Sequence, residues 1–174
     1  MLRVKAGDLD KMGLLFKRFR GPLYGFLFQM TNRREASEDM VQTVFYRMLK
    51  YRHTFTGNGE LVSWMYHLAR NVLKDEGRKL KQQEPAADLS AVKEHPADGK
   101  NAGEQMEQKQ LAEKLYRAIQ QLSDDHREVV VLHRLQELKH REIAQILEIR
   151  EDAVRARLYR AMLELKSVYK RLND

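Results

Sequence analysis

The chain has 174 residues, with 32 Lys and Arg against 25 Asp and Glu, a formal net charge of +7 and a pI near 9.6. That length fits one domain or two small ones, and 43% hydrophobic residues supply material for a core. There is no cysteine, which excludes disulfides and thiolate metal sites.

No apolar run approaches the ~20 residues that cross a bilayer, so membrane insertion is not expected. The start, Met1 to Lys5, is charged and lacks the apolar block of a secretory signal, so a cytoplasmic protein is expected. A basic balance favours polyanionic partners such as nucleic acid or an anionic membrane surface. The charge is uneven: residues 1–80 carry a net +7, residues 81–110 a net −2 and residues 111–174 a net +2.

The first expected element is a helix. Leu9, Met12, Phe16, Phe19, Leu23, Phe26 and Met30 recur at spacings of three and four, which marks one apolar face. Gly21-Pro22 can bend or split it, and Thr31-Asn32 offers a stop. A second helix is expected over Glu35 to Arg52, with Met40, Val41, Val44, Phe45, Met48 and Leu49 as its apolar stripe. His53 to Gly59 is a polar loop with two glycines. A third helix follows over Glu60 to Leu80. It buries Leu61, Met65, Leu68, Ala69, Val72 and Leu73, with Ser63, His67, Arg70, Asn71 and Lys74 on the other side.

From about Lys81 to Gly103 the periodicity is lost, and two of the three prolines fall there, which reads as a linker. Helical spacing resumes with Leu111, Leu115, Ala118, Ile119 and Leu122. Ser123 is a candidate N-cap for a helix carrying Val129, Val130, Leu132 and Leu135, and Asp124 and Asp125 suit its positive end. Two closely spaced helices, Lys139–Leu147 and Glu151–Arg171, complete the chain. No strand-like alternation of useful length occurs, so the expected fold is all-α, with two helical domains on a flexible linker.

His140 to Arg160 resembles a helix-turn-helix. Ala144 is the small residue at the helix crossing, and Ile149 and Val154 fill the angle. The second helix would turn Val154, Leu158, Ala161 and Leu165 inward and Asp152, Ala156, Tyr159 and Arg160 outward, flanked by Arg155 and Arg157. Such a helix fits the major groove and offers arginines to guanine or phosphate. The same residues also suit a solvated basic face on a plain helical hairpin. Two positions depart from the usual pattern. Glu148 stands where the turn favours glycine, at a cost of about 1–2 kcal/mol in left-handed geometry. Arg150 stands at the cap position, where the loss of a Ser or Thr costs about 1 kcal/mol.

Glu35 to Arg47 resembles the helix with which extracytoplasmic-function (ECF) sigma factors grip core RNA polymerase. Phe55-Thr56-Gly57-Asn58 and Trp64 to Asp75 are similar to that family's −10 recognition loop and helix. The resemblance covers Leu9–Arg78 and Leu111–Leu172, leaving the linker outside.

The resemblance implies a bacterial promoter-specificity subunit and no chemistry of its own: a region 2-like domain (1–80), a linker (81–108) and a region 4-like helix-turn-helix domain (109–174). It implies that Asp39, Gln42 and Tyr46 face the β′ clamp helices of core polymerase. Thr43 belongs to the same surface but stands where the family often has Glu. His53, Phe55, Asn58, His67, Arg70, Asn71 and Lys74 would face the −10 element. Arg155, Ala156, Arg157, Tyr159 and Arg160 would face the −35 element. An anti-sigma factor is a further implied partner. No cofactor is expected.

The residues leave alternatives open. Trp64 suits core packing, Phe55 a loop anchor and His67 an ordinary surface histidine. His126, His133 and His140 recur every seven residues, but no carboxylate pattern completes a metal site, so no metal is expected. A stand-alone helix-turn-helix regulator and a protein-binding helical adaptor are the rival functions. The run Trp64–Asp75 beside a glycine loop favours the sigma factor over both.

Overall fold

A computed structural model of the chain describes residues 1–57, 61–82 and 102–172. Among these residues all regular structure is helical. The front half holds α1 (Leu2–Lys5), α2 (Lys11–Thr31), α3 (Arg34–Lys50) and α4 (Leu61–Gln82), with a 3-10 turn at Arg52–Thr54 before the loop. The back half holds α5 (Ala102–Gln120), α6 (Asp124–Val130), α7 (His140–Leu147) and α8 (Glu151–Arg171). Helix occupies both ends of the stretch expected as linker, since α4 runs to Gln82 and α5 begins at Ala102. Glu104 to Gln110 are good helix formers, which favours the early start of α5.

α2 and α3 form a helical hairpin. Asn32 ends α2 in a left-handed conformation, with φ 53°. The Thr31 hydroxyl donates back to Leu27 O at 2.9 Å and also meets the Ser37 hydroxyl at 3.0 Å, which ties the turn to the start of α3. Pro22 does not split α2, which runs through it unbroken from Lys11 to Thr31. It is exposed, so the carbonyl that loses its helical donor can be hydrated. Leu9 and Phe16 do not join the expected buried face: Leu9 precedes the helix, and Phe16 lies at its edge, its ring 4.9 Å from that of Phe45.

The front core is built from Leu23, Phe26 and Leu27 of α2, Met40, Val44, Phe45 and Met48 of α3, and Met65, Leu68, Ala69 and Val72 of α4. Arg47 donates to Asp75 at 2.7 Å, linking α3 to α4 at the rim. Ser63 is buried, contrary to its expected outward placement.

In the back half, Ala118, Ile119 and Leu122 are buried, but Leu111 and Leu115 are exposed. Ser123 stands at the N-cap of α6 without a side-chain cap bond. The end of α5 is satisfied instead by Arg127, which donates to Gln120 O and Leu122 O at 2.8 and 2.9 Å. α6 continues as a π-helical turn, Val131–Leu135. That wider turn shifts the helical phase, which buries Val131 and rotates Leu135 into solvent.

α4 joins the two halves. It packs on α2 and α3 in the front half and on α7 in the back half, within one continuous apolar core, and adds side-chain bonds to α6 and to Gln136 just after the π turn. Tyr66 donates to Gln136 Oε1 at 2.6 Å, and Arg70 donates to Glu128 Oε1 at 3.0 Å. Away from α4, Gln120 donates to Gln29 O at 2.8 Å and Tyr116 donates to Asn32.

The Arg47–Asp75 pair carries a pH prediction. The hydrogen bond from Arg47 holds the Asp75 carboxyl below its ordinary value, against a smaller desolvation effect. Its contribution is therefore present above the unfolded pKa and lost as pH falls through the lower folded value. Asp75→Asn should cost about 0.5–1 kcal/mol at neutral pH, as expected for a partly exposed pair. Urea unfolding should show the difference from the parent chain shrinking in acid.

Candidate nucleic-acid interface

The helix-turn-helix forms with the expected boundaries. Lys139 N–H donates to Glu142 Oε2 at 2.7 Å, which starts α7. Glu148 ends it in the left-handed region, φ 58° and ψ 41°, at the position where glycine is usual. Arg150 is the N-cap of α8 and makes no side-chain cap bond. It pairs instead with Asp152 at 3.0 Å. Ile149 packs against the core and Val154 is fully buried, so the angle between the helices is filled.

α8 turns Val154, Leu158, Ala161, Leu165 and Val168 inward. Arg155, Ala156, Tyr159 and Arg160 are exposed together, and Tyr159 keeps 68% of its surface. Arg155 pairs with Glu151 at 2.5 Å, one turn earlier on the same helix. Arg157 departs from this group: its side chain is 23% exposed and reaches back to Asp125, 3.7 Å away. Its position, three residues after Val154 and four before Ala161, puts it at the flank of the buried stripe, within reach of α6.

On α3, Asp39, Gln42 and Tyr46 are exposed and Thr43 is half-buried, so the four form one stripe opposite Met40, Val44 and Met48. The Thr43 hydroxyl donates to Asp39 O at 2.9 Å.

The loop after α3 places Phe55 inside. It is 7% exposed, with its ring 5.3 Å from that of Trp64. Phe55 is thus a loop anchor here and cannot stack on a base unless the loop moves. His53 is exposed, while Asn58 lies outside the described residues.

Along α4, Lys74 is exposed and Asn71 half-buried, but His67 and Arg70 face the back half. Arg70 keeps 18% of its side-chain surface and Glu128 only 9%. Burial raises the Glu128 carboxyl above its ordinary value, and the Arg70 guanidinium opposes that shift. His67 stands 3.8 Å from the Glu148 carboxylate, an ion pair when the imidazole is protonated. Burial likewise raises the Tyr66 hydroxyl, which keeps it a neutral donor to Gln136. The expected −10 set is thus divided between exposed residues and residues engaged inside the molecule.

The engaged partners were not legible as such. Glu128 precedes the apolar run Val129 to Leu132, and a carboxylate at that border is the one available signal. The three regularly spaced histidines separate: His126 pairs with Glu164, whereas His133 stacks on His140 with ring centres 5.0 Å apart. No group of three His, Cys, Asp or Glu among the described residues could hold a metal ion. No helix among them is long and apolar enough to cross a membrane.

Sigma-70 region 2 matches residues 15–83, and sigma-70 region 4 matches residues 112–165. The chain belongs to the sigma-70 family, as an ECF-type RNA polymerase sigma factor. It is 28% identical over 161 residues to the ECF RNA polymerase sigma factor SigM of Bacillus subtilis, covering 92% of this chain and 96% of the relative. It is 27% identical over 173 residues to the ECF RNA polymerase sigma-E factor of Haemophilus influenzae, covering 94% and 91%.

Among solved structures, the sigma factor RpoE in complex with the anti-sigma factor NepR from Bartonella quintana shares the fold. Its TM-score is 0.71 at 20% identity, over 91% of this chain and 96% of that one. CnrH in complex with the cytosolic domain of CnrY gives the same TM-score and identity, over 97% and 94%.

As a member of this family, the sigma factor directs transcription initiation by RNA polymerase and is not an enzyme. It binds core polymerase and promoter DNA, and its region 4 contains the helix-turn-helix. The left-handed Glu148 stores strain in that unit. Glu148→Gly should therefore stabilise the sigma factor by about 1 kcal/mol, read as a higher urea midpoint at unchanged slope.

Proposed function

We propose that this sigma factor divides promoter recognition between three surfaces. The α3 stripe of Asp39, Gln42, Thr43 and Tyr46 docks on the β′ clamp helices of core polymerase. The loop with His53, Phe55 and Asn58, and the α4 residues His67, Arg70, Asn71 and Lys74, engage the opened −10 strand. Arg155, Ala156, Tyr159 and Arg160 of α8 read the −35 duplex, and Arg157 joins them if it leaves Asp125. The observation that carries this reading is the α3 stripe, which is left uncovered by a helix otherwise committed to the core.

The domain limits proposed are 1–80 for region 2, 81–108 for the connection and 109–174 for region 4. The proposed setting is the cytoplasm, where core polymerase works. Two solved structures of similar fold are complexes with an anti-sigma factor or with the cytosolic domain of a partner. On that basis an anti-sigma factor is proposed as a regulator of this chain.

With its Nε bonded to Glu128 and 18% of its side-chain surface exposed, Arg70 offers little to a DNA phosphate while the halves are together. Use of α4 at the −10 element therefore requires the two halves to part. Parting exchanges a buried ion pair for solvated charges and a phosphate contact, and a buried pair is rarely a large net stabiliser. Stacking and pocket contacts worth about 1–3 kcal/mol per base favour the opened state. Closure also responds to pH. Because burial raises Glu128, its share of closure is present in mild acid and lost as pH rises through the raised value.

Run-off transcription with purified core polymerase on fragmented genomic DNA tests the proposal. Transcripts that need this protein, with start sites sharing −35 and −10 elements, support it. Transcripts without such shared elements contradict the assignment of surfaces. Two variants test the surfaces separately. Asp39→Lys should weaken core binding at least tenfold, or about 1.4 kcal/mol, in a gel-filtration or fluorescence titration, with an unchanged melting temperature. Glu128→Lys sets two cations together at the α4 contact and should raise affinity for a single-stranded −10 oligonucleotide severalfold.

A further inference from the structure

α1 is four residues long and precedes the stretch matched by region 2. It is nonetheless built into the loop that follows α3. Val4 is fully buried in the front core, which fixes the short helix in place. Lys5 Nζ donates to the Phe55 carbonyl at 2.7 Å, a contact across 50 residues of sequence. Gly57 has φ +81°, a conformation that suits glycine, and a Cβ added there would stand 2.9 Å from a methyl of Leu2. Leu2, Phe55 and Gly57 line an open cleft of about 560 Å³ together with Lys11, Leu14 and Leu61.

We infer that α1 is a brace for the −10 loop, and that Lys5 is a positioning residue which sets the geometry of Phe55 to Gly57 for strand capture. The inference rests on the proposed role of that loop in binding the −10 strand. Thr54 and Phe55 N–H groups turn back onto Tyr51 and Arg52 carbonyls, bonds that shape the 3-10 turn but do not tether it to the core. The Phe55 ring anchors one point against Trp64. The Phe55 carbonyl faces the other way along the chain, and Lys5 supplies its charged donor. Leu2 reaches over to Gly57, whose positive φ itself disfavours any other residue. With ring, carbonyl and glycine each held by a different neighbour, the chain leaves Gly57 in one direction.

The test uses the full sigma factor with core polymerase and a single-stranded −10 oligonucleotide, with core affinity, −35 duplex binding and melting temperature measured in parallel. Lys5→Met removes the donor, whereas Lys5→Arg keeps one. Gly57→Ala disturbs the loop directly through its positive φ and the Leu2 contact. Lys5→Met should weaken −10 strand binding about threefold to tenfold, the effect of one charge-assisted hydrogen bond at a partly exposed site. Lys5→Arg should retain most of the parent affinity, and the three parallel readouts should not change.

If Gly57→Ala impairs strand binding and Lys5→Met does not, the brace is wrong while the loop's role survives. Equal losses from Lys5→Met and Lys5→Arg, or a loss that tracks melting temperature, also overturn it. If Gly57→Ala leaves strand binding intact, the proposed role of the loop fails and the brace falls with it.

Discussion

The structure depends on α4 being packed on both sides. One face, with Met65, Leu68, Ala69 and Val72, completes the front core. The other sends Tyr66 and Arg70 into polar contacts with Gln136 and Glu128 of the back half. The apolar face is non-negotiable, because burying each such side chain is worth about 1.5–3 kcal/mol and no other helix can fill that space. The polar face is conditional. Its hydrogen bonds replace hydrogen bonds to water at small net gain, and its ion pair carries a desolvation cost. That same side shares the buried apolar cluster with Ile143, Ile146 and Leu147 of α7, so releasing the neighbour exposes apolar surface as well as breaking polar pairs, whereas the front core stays closed.

That asymmetry connects the fold to the proposed recognition. The family's task requires simultaneous contact with polymerase and two separated DNA elements. The α3 stripe and the outward face of α8 are uncovered in the closed arrangement, whereas His67 and Arg70 are not. Polymerase docking and duplex reading could thus begin before α4 is released, with strand capture following the separation. The charge distribution agrees: the net +7 of residues 1–80 lies in the half proposed to hold single-stranded DNA.

Much of this was legible in the sequence because helical periodicity is a local signal. Spacing marked the apolar side of α3, resemblance to the family singled out the exposed stripe opposite it, and α7 and α8 followed from their apolar faces and the short turn between them. The left-handed Glu148 was anticipated from the motif's register, although glutamate gives no local cue for positive φ. The failures have physical causes too. Spacing did not reveal the π turn at Val131–Leu135, so Leu135 was wrongly assigned to the core. Arg157, three residues after Val154 and four before Ala161, has the phase of the flank of the buried stripe, where Asp125 of α6 pairs with it. α1 is too short for any periodic signal, and its importance comes from contacts some fifty residues downstream. Arg70 was expected at the −10 element and Tyr66 and Glu128 were given no role, because only tertiary packing makes the three an interface.

The central claim is that α4 must be released from the back half for the promoter complex to form. The absence of cysteine allows clean labelling of a Lys17→Cys, Ser167→Cys chain, with both sites exposed and outside the contacts described. Energy transfer between the two labels should report one short distance in the free protein at mildly acidic to neutral pH. It should report a clearly longer distance with core polymerase and promoter DNA. An unchanged distance in an active promoter complex would contradict the claim.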